Sequence, residues 1–245
     1  MDVVITTYNR LKYLRPTLLN LMKEAVLDNH YYIVDGGSND GTVEYIRELY
    51  KEEVLSGYSL YKDNIGADIL KSRGAQRFIE GDRGMISSDD LEYPPAYDHV
   101  LNFMYDELAK DNKIYGVMAK LDVIPHEGKR FKDSPIFFRE TKMQPAGIFN
   151  KELLEELGYF PRQYGPLGSG DHALYRRILK LGYKSFWVTP PLVHHTGVHK
   201  KDDYPEQHKF YVETKAKIIE DAMNDALLGK ELPIPDPIEE EFRGR

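Results

Sequence analysis

An α/β fold, a mostly parallel sheet flanked by helices, is predicted by two features of the chain. Short β-branched runs alternate with stretches whose apolar residues recur at helical spacing, the pattern of βαβ units. The residue clusters that could do chemistry fall just after the predicted strands, where ligands collect in sheets of this kind.

Asp2 to Thr6 reads as the first buried strand. Leu14, Leu18, Leu21, Met22 and Ala25 then mark one helix face, with Pro16 expected in its first turn. Tyr31 to Val34 is a second strand, broken by the turn Asp35 to Gly41. A helix restarts at Thr42 and carries Val43, Ile46 and Leu49 on one side. Tyr58 to Lys62 reads as a third strand, Gly66 to Glu80 as a third helix and Gly84 to Ser87 as a short fourth strand. Downstream, Ala96 to Ala109 has helical character and Ile114 to Ala119 strand character. Residues 120–145 read as loops or an excursion over the sheet. Helices are expected over Lys151 to Leu157 and Asp171 to Leu181, closed by Gly158 and Gly182, and a strand over Ser185 to Val188.

With 245 residues the chain can bury a full core, and nothing in it forces a division into two domains. One domain is expected over residues 1–230, in two halves at about 1–92 and about 93–230. The Pro-rich, acidic residues 231–245 read as an extended tail. The absence of Cys excludes disulfides and thiolate metal sites, and suits a reducing compartment. A net charge of -7 weighs against broad nucleic-acid binding. No apolar run approaches the ~20 residues of a transmembrane segment. The start, MDVVITTYNR, lacks a basic region followed by an apolar stretch, so a cytoplasmic location is expected.

Four clusters carry candidate chemistry. Thr6 to Arg10 and Asp35 to Thr42 end neighbouring strands. A hydroxyl, a flat ring and a carboxylate there could hold a pyrimidine, although Asp-Gly-Gly and Asn-Asp-Gly are also ordinary turn signals. Asn64 to Gly66 is followed one helix later by Arg73, whose planar fork could reach a diphosphate or serve a surface ion pair. Ser88, Asp89 and Asp90 follow an apolar strand. Two adjacent carboxylates there suit Mg2+ or Mn2+ bridging phosphates, or a helix cap. Asp171 precedes a helix, as a cap or a general base would, and His194 and His195 follow a strand, as metal ligands or surface residues.

Taken in order, these residues resemble glycosyltransferase family 2, whose fold is the Rossmann-like GT-A fold. The matching stretches are Thr7-Tyr8-Asn9-Arg10, Val34 to Thr42, Asn64-Ile65-Gly66 with Arg73 and Gly74, Ser87 to Asp90, Gly170-Asp171 with Arg176, Arg177 and Gly182, and His194-His195. They span about residues 3–197, and six weak motifs in the right order are specific together. The resemblance implies that Thr7, Tyr8 and Asp35 hold the nucleobase and that Arg73 lies near the diphosphate. It makes Asp89 the main ligand of Mn2+ or Mg2+, Asp90 the residue facing the donor sugar, and Asp171 the base. His195, with His194 close behind, is the expected late metal ligand, and Arg10, Asn64, Gly66 and Ser88 complete the donor site.

The chain departs from the family pattern at Gly36, Ser87 and Gly170, where acidic or amide residues are usual. The implied activity is inverting transfer of a sugar from a nucleotide-sugar donor, UDP-linked by preference, to an acceptor hydroxyl on a glycan, lipid, protein or small molecule. A modified nucleic-acid base is a further acceptor class. A nucleotidyltransferase is the first rival, yet Thr6 to Arg10 lacks the Gly-rich phosphate loop that it needs. A non-catalytic nucleotide-sugar-binding protein is the second, supported by Ser87.

Overall fold

The computed structural model describes residues 1–122, 128–141, 146–160, 170–196, 209, 213 and 234–243, with the side chains of 170–173 excepted. β1 (Asp2–Thr7), α1 (Leu11–Glu24), β2 (His30–Asp35), α2 (Thr42–Lys51), β3 (Gly57–Leu60), α3 (Ala67–Phe78) and β4 (Arg83–Ser88) follow each other as expected. β2 pairs in parallel with β1 and β3, and β1 with β4. All four strands therefore end on the same side, which brings together the residues that follow β1, β2 and β4.

Alternation along β1 divides the core. Val3 and Ile5 face Leu14 and Leu18 of α1 and Ile46 of α2, while Val4 faces Leu70, Ala75 and Phe78 of α3. α3 approaches β1 closely because residue 74 is glycine: a Cβ there would stand 2.3 Å from Val4 Cγ1. Pro16 falls in the second turn of α1, not the first. The helix begins as soon as the strand-end loop finishes, with the Arg10 carbonyl accepting from the amides of Tyr13 and Leu14.

The second half adds β5 (Leu91–Glu92), α4 (Tyr97–Ala109), β6 (Ile114–Leu121), β7 (Lys129–Arg130), β8 (Phe137–Glu140), β9 (Gly147–Asn150), α5 (Lys151–Glu156), α6 (Gly170–Lys180), β10 (Lys184–His195) and β11 (Glu239–Phe242). The sheet runs β11-β3-β2-β1-β4-β9-β6-β10-β8-β7, with β5 pairing β10 off this path. β9 lies antiparallel between β4 and β6 and joins the two halves. Part of the stretch read as loops is the antiparallel pair β7–β8, placed by the packing of Phe131 and Phe138 against the core. Local sequence carries little of this signal, because such short strands depend on partners distant in the chain.

β10 is longer than the expected Ser185 to Val188. Its ladder to β6 jumps from Val188↔Ala119 to Leu192↔Lys120, so Thr189, Pro190 and Pro191 bulge out before pairing resumes. A bulge bends a strand and re-aims the residues beyond it. Here it delivers His194 and His195 beside β5, where they pair with Glu92 and Leu91.

The acidic end of the chain folds back as β11, antiparallel to β3. Phe242 lies 6.0 Å from the rings of both Tyr32 and Phe78. The expected extended tail thus ends in a strand that covers a sheet edge.

Candidate functional site

The loops after β1 and β2 are tied together by their own motif residues. The Asn9 amide donates to Ser38 Oγ at 2.7 Å, Asn39 N–H to Asn9 Oδ1 at 2.7 Å, and Leu11 N–H to Asp40 Oδ2 at 3.0 Å. Asp40 also accepts from the Thr42 hydroxyl at 2.6 Å. At Gly37 φ is +91° and a Cβ would stand 2.8 Å from the Asp63 backbone, so only glycine fits there without displacement. Much of the turn motif therefore builds the loops.

Asp35, fully buried at the end of β2, accepts from the amides of Gly37 and Ser38 and from the Ser38 hydroxyl. Burial raises its pKa, against the lowering effect of those bonds. Tyr8 sits half-buried beside Gly36, whose amide bonds the Thr7 carbonyl. Asn64 Oδ1 accepts from the Gly66 amide at 3.0 Å and shapes the entry to α3.

The densest electrostatics lie where β1, β4 and β10 meet. Thr7 Oγ1 donates to Asp89 Oδ2 at 2.6 Å. Arg10 Nη1 lies 3.3 Å from Asp89 Oδ1 and 2.7 Å from Asp90 Oδ2, and its guanidinium stacks 4.5 Å from the Tyr13 ring centre. Both aspartates are only 3% exposed. Burial, against the attraction of Arg10, pushes the Asp89 carboxyl up to about 7, and the neighbouring Asp90 adds to the rise.

His195 Nε2 approaches Asp90 Oδ2 at 3.3 Å, and Thr196 anchors the same turn by donating its amide and hydroxyl to the Asp90 carbonyl. His194 turns to Asp122 Oδ2 at 2.9 Å instead. The structure therefore separates the two histidines, and the one it brings to the acidic pair meets Asp90, not Asp89. Ser87, in the place of a usual aspartate, bonds the buried Tyr93 hydroxyl at 3.0 Å.

Among the described residues no three His, Asp or Glu side chains converge as a complete metal shell. Asp90 and His195 are the one carboxylate–imidazole pair that the acidic cluster brings together. His195 Nε2 and Asp90 Oδ2, 3.3 Å apart, would each supply one ligand to a divalent ion held here. One guanidinium balances one of the two carboxylate charges. The remaining negative charge and the short ligand count suit an ion that arrives with phosphate oxygens.

The structure does not bring Arg73 into this cluster. Six residues past the start of α3, it lies about 9 Å down the helix axis. Its Nε and Nη2 bond Glu240 Oε2 of β11 at 3.0 and 2.7 Å. These bonds form an ion pair that fastens the C-terminal strand, joined by Arg77 and the Ser59 hydroxyl. Asp171 stands in the first turn of α6, and its side chain lies outside the described residues.

The sheet is mixed, parallel over β1 to β4, with polar residues at its strand ends and an acidic pair met by a late histidine. The glycosyl transferase family 2 model matches residues 2–154, and the chain belongs to that family. An uncharacterized glycosyltransferase of Rickettsia typhi is 24% identical over 161 residues, covering 66% of this chain and 45% of its own length. The chain thus spans less than half of that curated relative.

The fold is that of GT-A glycosyltransferases. GalNAc-T7, solved with UDP, GalNAc and Mn2+, superposes with a TM-score of 0.68 at 18% identity, over 81% of this chain and 43% of that one. The Pyrobaculum calidifontis mannosyltransferase PcManGT, solved with GDP-Man and Mn2+, gives 0.60 at 20% identity, over 81% and 57%. S. aureus TarS 1-349 with UDP-GlcNAc gives 0.62 at 16% identity, over 81% and 58%.

Proposed function

We propose that this chain is an inverting glycosyltransferase that moves a sugar from a nucleoside-diphosphate donor to an acceptor hydroxyl, with a UDP-sugar as the favoured donor. The observation that carries this reading is the buried Arg10–Asp89–Asp90 cluster with the exposed His195 at its edge, beside the Thr7 and Asp35 strand ends. UDP-bound and UDP-sugar-bound relatives of the same fold support the donor class.

In this reading Thr7, Tyr8 and Asp35 line the nucleobase end. Asp90 and His195 hold Mn2+ or Mg2+, with Asp89 alongside, and Mn2+ in two structural relatives supports the ion. The bound ion supplies charge to offset the diphosphate as it leaves. Arg10 bridges the two carboxyl groups and fixes their directions. The acceptor oxygen attacks the anomeric carbon opposite the departing diphosphate oxygen, whose bond to that carbon breaks with its electron pair. Asp171 takes the hydroxyl proton.

A thermal-shift screen of UDP- and GDP-sugars with and without Mn2+ tests this, because a ligand that binds only the folded state raises its stability. A rise that requires both nucleotide and metal is expected. No metal-dependent rise with any nucleotide sugar refutes it.

A further inference from the structure

Beyond the acidic cluster, the bulge in β10 borders a cavity with a volume of about 510 Å³. Lys120 of β6, Trp187 and Thr189 of β10, and Phe137 and Arg139 of β8 line it. Its volume is that of a pocket for one small ligand. Register explains its composition: Trp187 pairs across the ladder with Arg139 on one side and Met118 on the other. Lys120 is displaced two places further along β6, opposite Leu192, where the bulge leaves space.

Among the described residues two donors in this cavity have no hydrogen-bond partner. Lys120 is 5% exposed, and among the described residues its Nζ has no hydrogen-bond partner. Trp187 Nε1 is likewise buried without an acceptor. Buried donors of this kind cost stability unless something bonds them. Lysine is also anomalous in β6, whose remaining residues are Ile114, Tyr115, Gly116, Val117, Met118, Ala119 and Leu121. Stability alone would favour an apolar residue there.

We propose that this cavity is an acceptor subsite for molecules that carry an oxyanion, a phosphate or a carboxylate, next to a ring or acyl face. The oxyanion accepts from Lys120 Nζ and Trp187 Nε1, and the apolar face lies on Phe137 and the Trp187 ring. Arg139 adds a second positive charge at the rim. A neutral ligand gives these donors weaker bonds than an oxyanion does, so the cavity favours the anion. The inference rests on the glycosyltransferase reading for the word acceptor, but the anion binding itself does not.

Trp187 is the single tryptophan of the chain, so its fluorescence reports on this cavity alone. The full chain is titrated with phenyl phosphate and with benzoate, then with benzyl alcohol as the neutral ring and inorganic phosphate as the bare anion. A saturable fluorescence change is expected with either anionic ring compound. Binding at least tenfold weaker is expected for benzyl alcohol and for inorganic phosphate.

Lys120→Met, which keeps length and apolar bulk, is expected to weaken phenyl phosphate binding tenfold or more while UDP still raises the melting temperature. Arg139→Gln, at the rim, gives a second variant with a smaller loss expected. A flat wild-type titration, or equal binding by Lys120→Met, overturns the proposal. The failures are distinguishable: loss of the nucleotide shift in wild type refutes the transferase reading, and a flat titration with that shift intact refutes only this subsite.

Discussion

Replacing Arg10 by Met tests the logic of the acidic cluster most directly. The substitution preserves side-chain length but removes the one positive charge that meets both Asp89 and Asp90, whose side chains are 5% and 4% exposed. Removing one partner of a buried ion pair costs about 3–5 kcal/mol. The low end applies here, because the Asp89 carboxyl, already pushed up to about 7, takes a proton once the guanidinium is gone. A loss of about 3 kcal/mol in a domain of this size lowers the melting temperature by about 6–12 °C.

The assay is thermal unfolding at pH 7.5 of the parent, Arg10→Met, Asp90→Asn and the double variant. Removing the Asp90 charge as well should return at least half of the lost stability, because no uncompensated carboxylate is then left buried. A single variant melting within about 2 °C of the parent, or a double variant melting below it, would refute the claim that Arg10 holds the two carboxylates.

Asp171→Asn should lower turnover by about 10²- to 10⁴-fold while the nucleotide-dependent thermal shift persists; unchanged turnover removes Asp171 from the base role. His195→Ala should abolish the Mn2+-dependent part of that shift and His194→Ala should retain it, since only His195 faces Asp90; the reverse result would reassign the ligand. Gly74→Ala should destabilise by about 1–3 kcal/mol from overpacking on Val4, outweighing the gain of about 1 kcal/mol expected for alanine in an open helix. Urea midpoints measure this, and a midpoint at or above the parent's contradicts the close approach.

Glu240 supplies the pH test. Burial pushes its carboxyl up, but the bonds from Ser59, Arg73 and Arg77 outweigh burial and hold it below the ordinary 4.5. A depressed carboxyl contributes stability fully above the unfolded value and loses it as pH falls through the folded one. The melting difference between parent and Glu240→Gln should therefore be full at pH 7 and shrink below about pH 4.5. A difference that grows in acid would be inconsistent with a Glu240 clamp.

The first half of the fold was legible because its signals are local. Each strand from β1 to β4 is a short run of residues suited to burial, closed by Gly, Asn or Asp, and each intervening helix has its own apolar face. The hairpin β7–β8 and the edge strand β11 were not legible. Their residues are held by partners far along the chain: Glu239 and Glu240 meet Leu60 and Ser59, and nothing near residue 240 announces that.

By itself the sequence determined the chemical inventory and its order, with strand ends rich in hydroxyl and carboxylate groups, an acidic pair and a late pair of histidines. Tertiary structure decided which of these act together. It joined Arg10, Asp89, Asp90 and His195, turned His194 to Asp122, and gave Arg73 to the C-terminal strand. The physical reason is register. Parallel pairing of β1 with β4 sets Thr7 against Asp89, and a three-residue bulge in β10 determines what faces the acidic pair and what opens beside it. Such offsets are properties of strand pairs, so no single segment of sequence carries them.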